Sequence, residues 1–150
     1  MTEPLRTQDE ADAELAVAVA GRAQMFVDAF TGPQRAFADD VLDYSRESLA
    51  AVDAFIDIYF AQKVELPEQL VWLVSCYVLE VGRREFGGRF LPGPEGDPIV
   101  LVIGEPGPTV GVMVFGKVVG RSVNGPEDNL PFFFSGIGPA IERGTSATLV

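Results

Sequence analysis

Leu66-Pro67-Glu68-Gln69-Leu70-Val71-Trp72-Leu73-Val74-Ser75-Cys76-Tyr77-Val78-Leu79-Glu80-Val81-Gly82-Arg83-Arg84-Glu85-Phe86-Gly87-Gly88-Arg89-Phe90 is the stretch from which the rest of the chain can be placed. A helix that is apolar on nearly every side belongs in a core. Pro67 suits a first helical position and Gly87 supplies a left-handed stop, so the spacing predicts a helix ending near Phe86. Within its apolar run Glu80 is the one acid, and it must point at the edge of the core or find a partner. Arg83 and Arg84 follow three and four places on, the same side of the helix and the favourable order for pairing.

Working back from Leu66, Ser45 can cap a helix that runs to about Gln62. Its apolar positions Leu49, Val52, Ile56, Tyr59 and Phe60 share a face, with Glu47, Asp53 and Asp57 as the wet side. Residues Gln8 to Phe30 carry Leu15, Val19, Ala23, Phe26 and Phe30 at helical spacing, and Asp9, Glu10, Asp12 and Glu14 suit the positive end of that helix. Thr31-Gly32-Pro33 breaks it, and Phe37 to Leu42 reads either as a short helix or as an extended connection.

Working forward from Gly87, glycine and proline punctuate short segments rich in Val, Ile and Phe, the pattern of strands and turns. Strands are expected near Arg89–Leu91, Pro98–Ile103 and Thr109–Val114, forming a small antiparallel meander against the helices. Phe115, Val118, Val119 and Ser122 fall at i, i+3, i+4 and i+7, a short helix that Asn124-Gly125 can end. Pro126-Glu127-Asp128 starts another, carrying Leu130 and Phe132 to Phe134. The tail from Gly144 to Val150 reads as loose. The expected fold class is α+β: one domain over residues 1–150, ordered from about 8 to 143, with three N-terminal helices, a small antiparallel sheet and two short C-terminal helices.

At 150 residues such a chain buries roughly 70% of the surface its unfolded form exposes, and needs no disulfide to do so. It has none to make. Cys76 is the single cysteine, and it reads as an inert thiol in a reducing cytoplasm. Met1 to Glu14 has neither a basic nor an apolar leader region, and the longest apolar runs are about ten residues, against roughly 18 for a membrane span. The expectation is a cytoplasmic protein without membrane association.

The net charge is -11. Residues 1–60 hold 12 acids and 4 bases, whereas residues 61–90 hold 4 of each. A surface of that sign repels phosphate backbones and anionic membranes, which argues against nucleic acid as a partner. Zero histidines removes the commonest general base and metal ligand and every Ser-His or Cys-His nucleophile. Gly104-Glu105-Pro106-Gly107-Pro108 lacks the Lys-Ser/Thr of a phosphate loop, and its prolines take away amide donors, so it reads as a turn. Asp39-Asp40-Asp43 and the Asp53, Asp57 pair lack the alternating spacing of a calcium loop. No catalytic residue, metal or cofactor is expected from these patterns.

Glu80 is the sharpest single residue, and it reads first as half of an ion pair that fixes the helix against the sheet. Arg121 is a third candidate partner. The ligand-binding alternative places Glu80, Arg84 and Arg121 around a cleft between the third helix and the sheet, where a carboxylate with arginines could orient a carboxylate or phosphate. Phe132-Phe133-Phe134 cannot all point inward from one helix, so at least one ring should reach the surface or a partner chain, and a homodimer built on exposed phenylalanines is a further alternative.

Leu42-Asp43-Tyr44-Ser45, Glu47-Ser48-Leu49 and Val52-Asp53 resemble the opening of a bacterial family of small proteins known as a domain of unknown function. In that family a helix ending in Gly-Gly precedes a sheet. Tyr77, Glu80, Gly87 and Gly88 fit that part, and Lys117, Val118, Arg121, Asn124, Gly125, Pro126, Glu127, Asp128 and Leu130 fit the segment beyond the sheet. The resemblance covers about Val41 to Phe134 and departs at Leu79, where the family tends to carry glycine, and at Phe90, where tryptophan is usual. It implies an α+β module, with relatives suggestive of toxin immunity or contact-dependent systems, and brings no catalytic residues. With the acidic half and the missing catalytic groups, the leading expectation is a non-enzymatic cytosolic module that binds, and neutralises, a basic protein partner.

Overall fold

The computed structural model describes residues 7–150, so the Met1–Arg6 part of the acidic N-terminal segment lies outside the described residues. The fold is α+β. Helix α1 spans Gln8–Phe30, and Thr7 opens it with a capping box in which its hydroxyl accepts from the Glu10 amide. Helix α2 spans Ser48–Gln62, and Ser45 caps the turn leading into it by accepting from the Ser48 amide at 3.2 Å. Helix α3 spans Glu68–Phe86, starts directly after Pro67, and ends where the Gly87 amide donates to the Arg83 carbonyl. Every residue from Leu73 to Gly82 is buried, the all-round burial that its apolar run requires.

Strands β1 (Arg89–Pro92), β2 (Ile99–Ile103) and β3 (Val110–Met113) form an antiparallel meander, with Phe90 opposite Leu101 and Leu101 opposite Val112. Side chains alternate along these strands. Phe90, Ile99, Leu101, Ile103, Val110 and Val112 all face the helices and are buried. Gly82 lets α3 lie close over the sheet, since a Cβ there would stand 3.1 Å from the Leu101 side chain.

The C-terminal part is richer than two helices. Helix α4 (Phe115–Asn124) is followed by a single 3-10 turn at Pro126–Asp128, then α5 (Leu130–Ser135) and α6 (Ile137–Glu142). Asn129 caps α5 by accepting from the Phe132 amide, so Pro126 begins the turn and a separate helix starts at Leu130 with Pro131 in its first turn. Gly125, at φ 87°, lies against the Phe60 ring, where a Cβ would come within 2.5 Å of the ring edge; only glycine fits that backbone and that approach together.

The tail is also not loose throughout. Ala147–Leu149 forms β4, parallel to β3 with Val112 opposite Leu149, giving sheet order β1-β2-β3-β4. A parallel neighbour needs a long crossover, and α4 to α6 supply it. The Thr109 carbonyl accepts from the Ala147 amide and Ser146 Oγ accepts from the Thr109 amide, covering an edge that β3 would otherwise expose.

Between α1 and α2 the chain takes neither a helix nor a strand. Phe37 and Leu42 are buried from an irregular connection whose Phe37 ring packs edge-on to Phe26, and Phe26 also meets Phe30, Phe55 and Tyr77 with centroids 5.3 to 5.9 Å apart. This aromatic cluster joins α1, α2 and α3 at one end of the core.

Candidate functional site

Glu80 is 2% exposed, yet its carboxylate is fully engaged. Arg83 donates from Nε (3.1 Å) and Nη2 (2.6 Å), and Arg84 donates from Nε (3.1 Å). Burial alone would raise its pKa, but these charge-assisted bonds outweigh it and hold the carboxyl below its ordinary value. A carboxylate so held stays ionised and is a poor proton donor at neutral pH.

Arg84 continues into a stack. Its guanidinium carbon sits 3.7 Å from the Tyr44 ring centroid, and Tyr44 stacks on Tyr77 at 5.0 Å. The Tyr77 hydroxyl accepts from the Tyr44 amide and shares a 2.7 Å hydrogen bond with Ser48 Oγ, while the Tyr44 hydroxyl donates to Gln24 on α1. Tyr44 holds a left-handed backbone, φ 64°, inside this lattice. Burial pushes the Tyr77 phenol up, so it remains a neutral hydrogen-bonding group. The whole arrangement locks the α1–α2 connection onto α3.

Arg121 belongs to a different network. It is 3% exposed, and it donates from Nε to Asp53 (2.9 Å) and from Nη2 to Asp57 (2.7 Å). The same Asp53 oxygen accepts from the Leu130 amide at 2.8 Å, so one carboxylate ties α2 to α4 and to the start of α5. Burial would lower the arginine's pKa, and the two carboxylates more than reverse that. Arg121 Nη1 has no hydrogen-bond partner among the described residues. Asp53 and Asp57 are therefore not the wet side of α2. They face α4, because a buried guanidinium needs carboxylates in reach.

The expected trio is thus divided: Glu80 and Arg84 bond each other, whereas Arg121 bonds α2. The other acidic candidates are also accounted for. Asp43 accepts from the Ser45 amide and hydroxyl, and among the described residues no group of three His, Cys, Asp or Glu side chains could hold a metal ion. Cys76 is fully buried, and burial pushes its thiol up to about 11. No described helix is long and apolar enough to cross a membrane.

Glu80 lines a hollow of about 450 Å³ between α1, the end of α3 and β1, but neither Arg84 nor Arg121 reaches it. A larger cleft opens between α3 and the sheet at the N-terminal end of α3, with other residues. Val71 and Trp72 of α3 form one wall, and Phe115, Val119 and Val123 of α4 form the second. The Gly93–Gly96 turn and Pro98 form the third, enclosing about 860 Å³. Asp97 fixes that third wall by accepting from the Gly116 amide at the start of α4, 3.1 Å away. Trp72 packs edge-on to Phe115 and carries Arg22 over its ring at 4.7 Å. The charged lining residues are Glu65, Glu68 and Glu95, all exposed; none is basic. The sequence signal for this groove is Val119 and Val123, apolar residues in excess of the single stripe that α4 needs for the core.

No protein-family model, curated protein or solved structure matches the chain. The resemblance to the bacterial family accordingly rests on the quoted residues alone. Several of them sit where the structure is tied together: Arg121 in its clamp, Gly125 against Phe60, and Asp128 accepting from Lys117 and Asn124 at 3.0 Å each.

Proposed function

We propose that the protein is a non-enzymatic binding module whose acidic surface holds a basic protein partner, as an immunity protein would. The observation that carries this reading is the closure of its buried charges. Glu80 is satisfied by Arg83 and Arg84, and Arg121 is held by Asp53 and Asp57. Neither is left without a counter-charge, while the excess of carboxylates lies outside. The net charge of -11 would steer a basic partner into contact and repel nucleic acid. Membership of the bacterial family, with its immunity-like relatives, and a cytoplasmic location belong to the same proposal; the lone buried cysteine suits a reducing compartment.

Affinity capture from cells of the source organism, in low salt and then in high salt, tests it. The reading expects a protein of net positive charge that is released as salt rises. Recovery of no protein partner in low salt would overturn it. So would turnover of a metabolite that Glu80→Gln abolishes without lowering the melting temperature.

A further inference from the structure

The groove at the start of α3 combines an apolar floor with an acidic rim. Some exposed or half-exposed acids are matched by bases: Glu85 with Arg46, Glu105 and Asp12 with Arg89, Asp128 with Lys117. Others, such as Asp39, Asp40, Glu47, Glu127 and Glu142, have no such match among the described residues, but those do not surround an apolar hollow. Glu65, Glu68 and Glu95 take part in no ion pair among the described residues. They surround an apolar floor, and Val119 and Val123 on it are 44% and 64% exposed. Solvated apolar side chains inside a concave, preformed site mark a binding surface.

We infer that this groove takes a short segment of a basic protein partner, an aliphatic or aromatic side chain flanked by lysine or arginine. The inference rests on the reading of the protein as a binder of basic partners, and it assigns that binding to one site. The apolar anchor would enter between Trp72, Phe115 and Val119, and the flanking cations would meet the three glutamates. The Arg22 guanidinium over Trp72 shows that the indole face already accommodates a cation from this chain.

Charge decides against a second copy as the occupant. Two copies would bring like-charged rims together, and six of the chain's bases, Arg46, Arg83, Arg84, Arg89, Lys117 and Arg121, are held in internal ion pairs. A nucleic acid or an anionic membrane is repelled by the same rim.

Trp72 is the only tryptophan, so its emission reports the groove directly. Three short peptides serve as probes: leucine and lysine arranged at helical spacing, the same with glutamate for lysine, and lysine without leucine. The leucine–lysine peptide is expected to shift Trp72 emission saturably, with calorimetry as a second readout. Val119→Lys should remove that binding, and Glu65→Lys with Glu68→Lys should weaken it about tenfold or more. All three positions are exposed, so the melting temperature of each variant should match that of the wild type within about 2 °C.

If the lysine-only peptide binds as well as the leucine–lysine peptide and Val119→Lys changes nothing, binding is spread over the acidic surface. The groove assignment then fails while the functional reading stands. Equal binding of the glutamate peptide would show an apolar site indifferent to charge and would overturn the assignment. Absence of binding by either basic peptide would count against the assignment and the functional reading together.

Discussion

Replacing Asp53 with alanine removes the carboxylate that accepts from both Arg121 Nε and the Leu130 amide, leaving a guanidinium that is 3% exposed with Asp57 alone. Stripping one partner from a buried pair costs roughly 3–5 kcal/mol, and an orphaned buried amide adds to that. Asp57 keeps its 2.7 Å bond but reaches solvent, where its attraction is screened. The lower end of the range applies, and Asp53→Ala should cost about 3 kcal/mol. For a chain of this size that lowers the melting temperature by about 6–12 °C. Arg121→Met likewise strips one partner and leaves Asp53, 15% exposed, facing Asp57 with no counter-charge, so it should also cost about 3 kcal/mol. Urea unfolding followed by circular dichroism, with an unchanged slope on denaturant, gives both values. The pair should also be coupled, so that Asp53→Ala with Arg121→Met is more stable than Asp53→Ala alone. An Asp53→Ala loss below about 1 kcal/mol, or a double variant no better than the single, would refute the view that this clamp organises α2, α4 and α5.

Three further outcomes are expected. Glu80 is held below its ordinary pKa of 4.5, so the unfolded chain takes up its proton at higher pH than the folded chain does. The stability from Glu80 is full above about 4.5 and is lost as pH falls through the folded value; Glu80→Gln should flatten that part of an acid titration of stability, and an unchanged acid slope would contradict it. Cys76, buried with its thiol raised to about 11, should react with a thiol reagent only as fast as the protein opens, and rapid labelling of the native protein would count against its burial. Phe132 is 75% exposed whereas Phe133 is buried beneath Lys117, so Phe132→Ser should change stability by less than about 0.5 kcal/mol and Phe133→Ser should cost about 3 kcal/mol. Light scattering of Phe132→Ser is also the appropriate test for a homodimer built on an exposed phenylalanine, since Phe133 is not available for one.

The helices were legible where one residue pattern determined one surface. Leu66 to Phe90 is apolar on all sides between a proline and two glycines, and α1 carries both its acidic first turn and its regular stripe. The β1-β2-β3 meander followed from local punctuation, since neighbouring antiparallel strands need only turns between them. Strand β4 pairs in parallel with β3 across the whole α4–α6 segment, a non-local contact that the polar tail sequence does not advertise. The division after Ser135 was equally hidden, because Ser135-Gly136 is a weak break between two apolar segments, of which α5 buries Leu130, Phe133 and Phe134 and α6 buries Ile137 and Ala140. Partner choice was the other missing part. Glu80 could be assigned Arg83 and Arg84 because helical spacing brings them together, whereas Arg121 meets Asp53 and Asp57 from more than sixty residues away. Periodicity marks those acids as polar without saying that a second helix covers them. The groove was missed for a related reason: its walls come from α3, the β1–β2 turn and α4, and each wall alone reads as ordinary core edge.

Hydrogen exchange on the protein bound to its captured basic partner tests the central claim most directly. The account predicts slowed exchange in the Gly93–Gly96 turn and in the first turns of α3 and α4, with Tyr44 to Glu47 unchanged. Protection centred on Tyr44 to Glu47 and Arg84, with the groove unaffected, would contradict it.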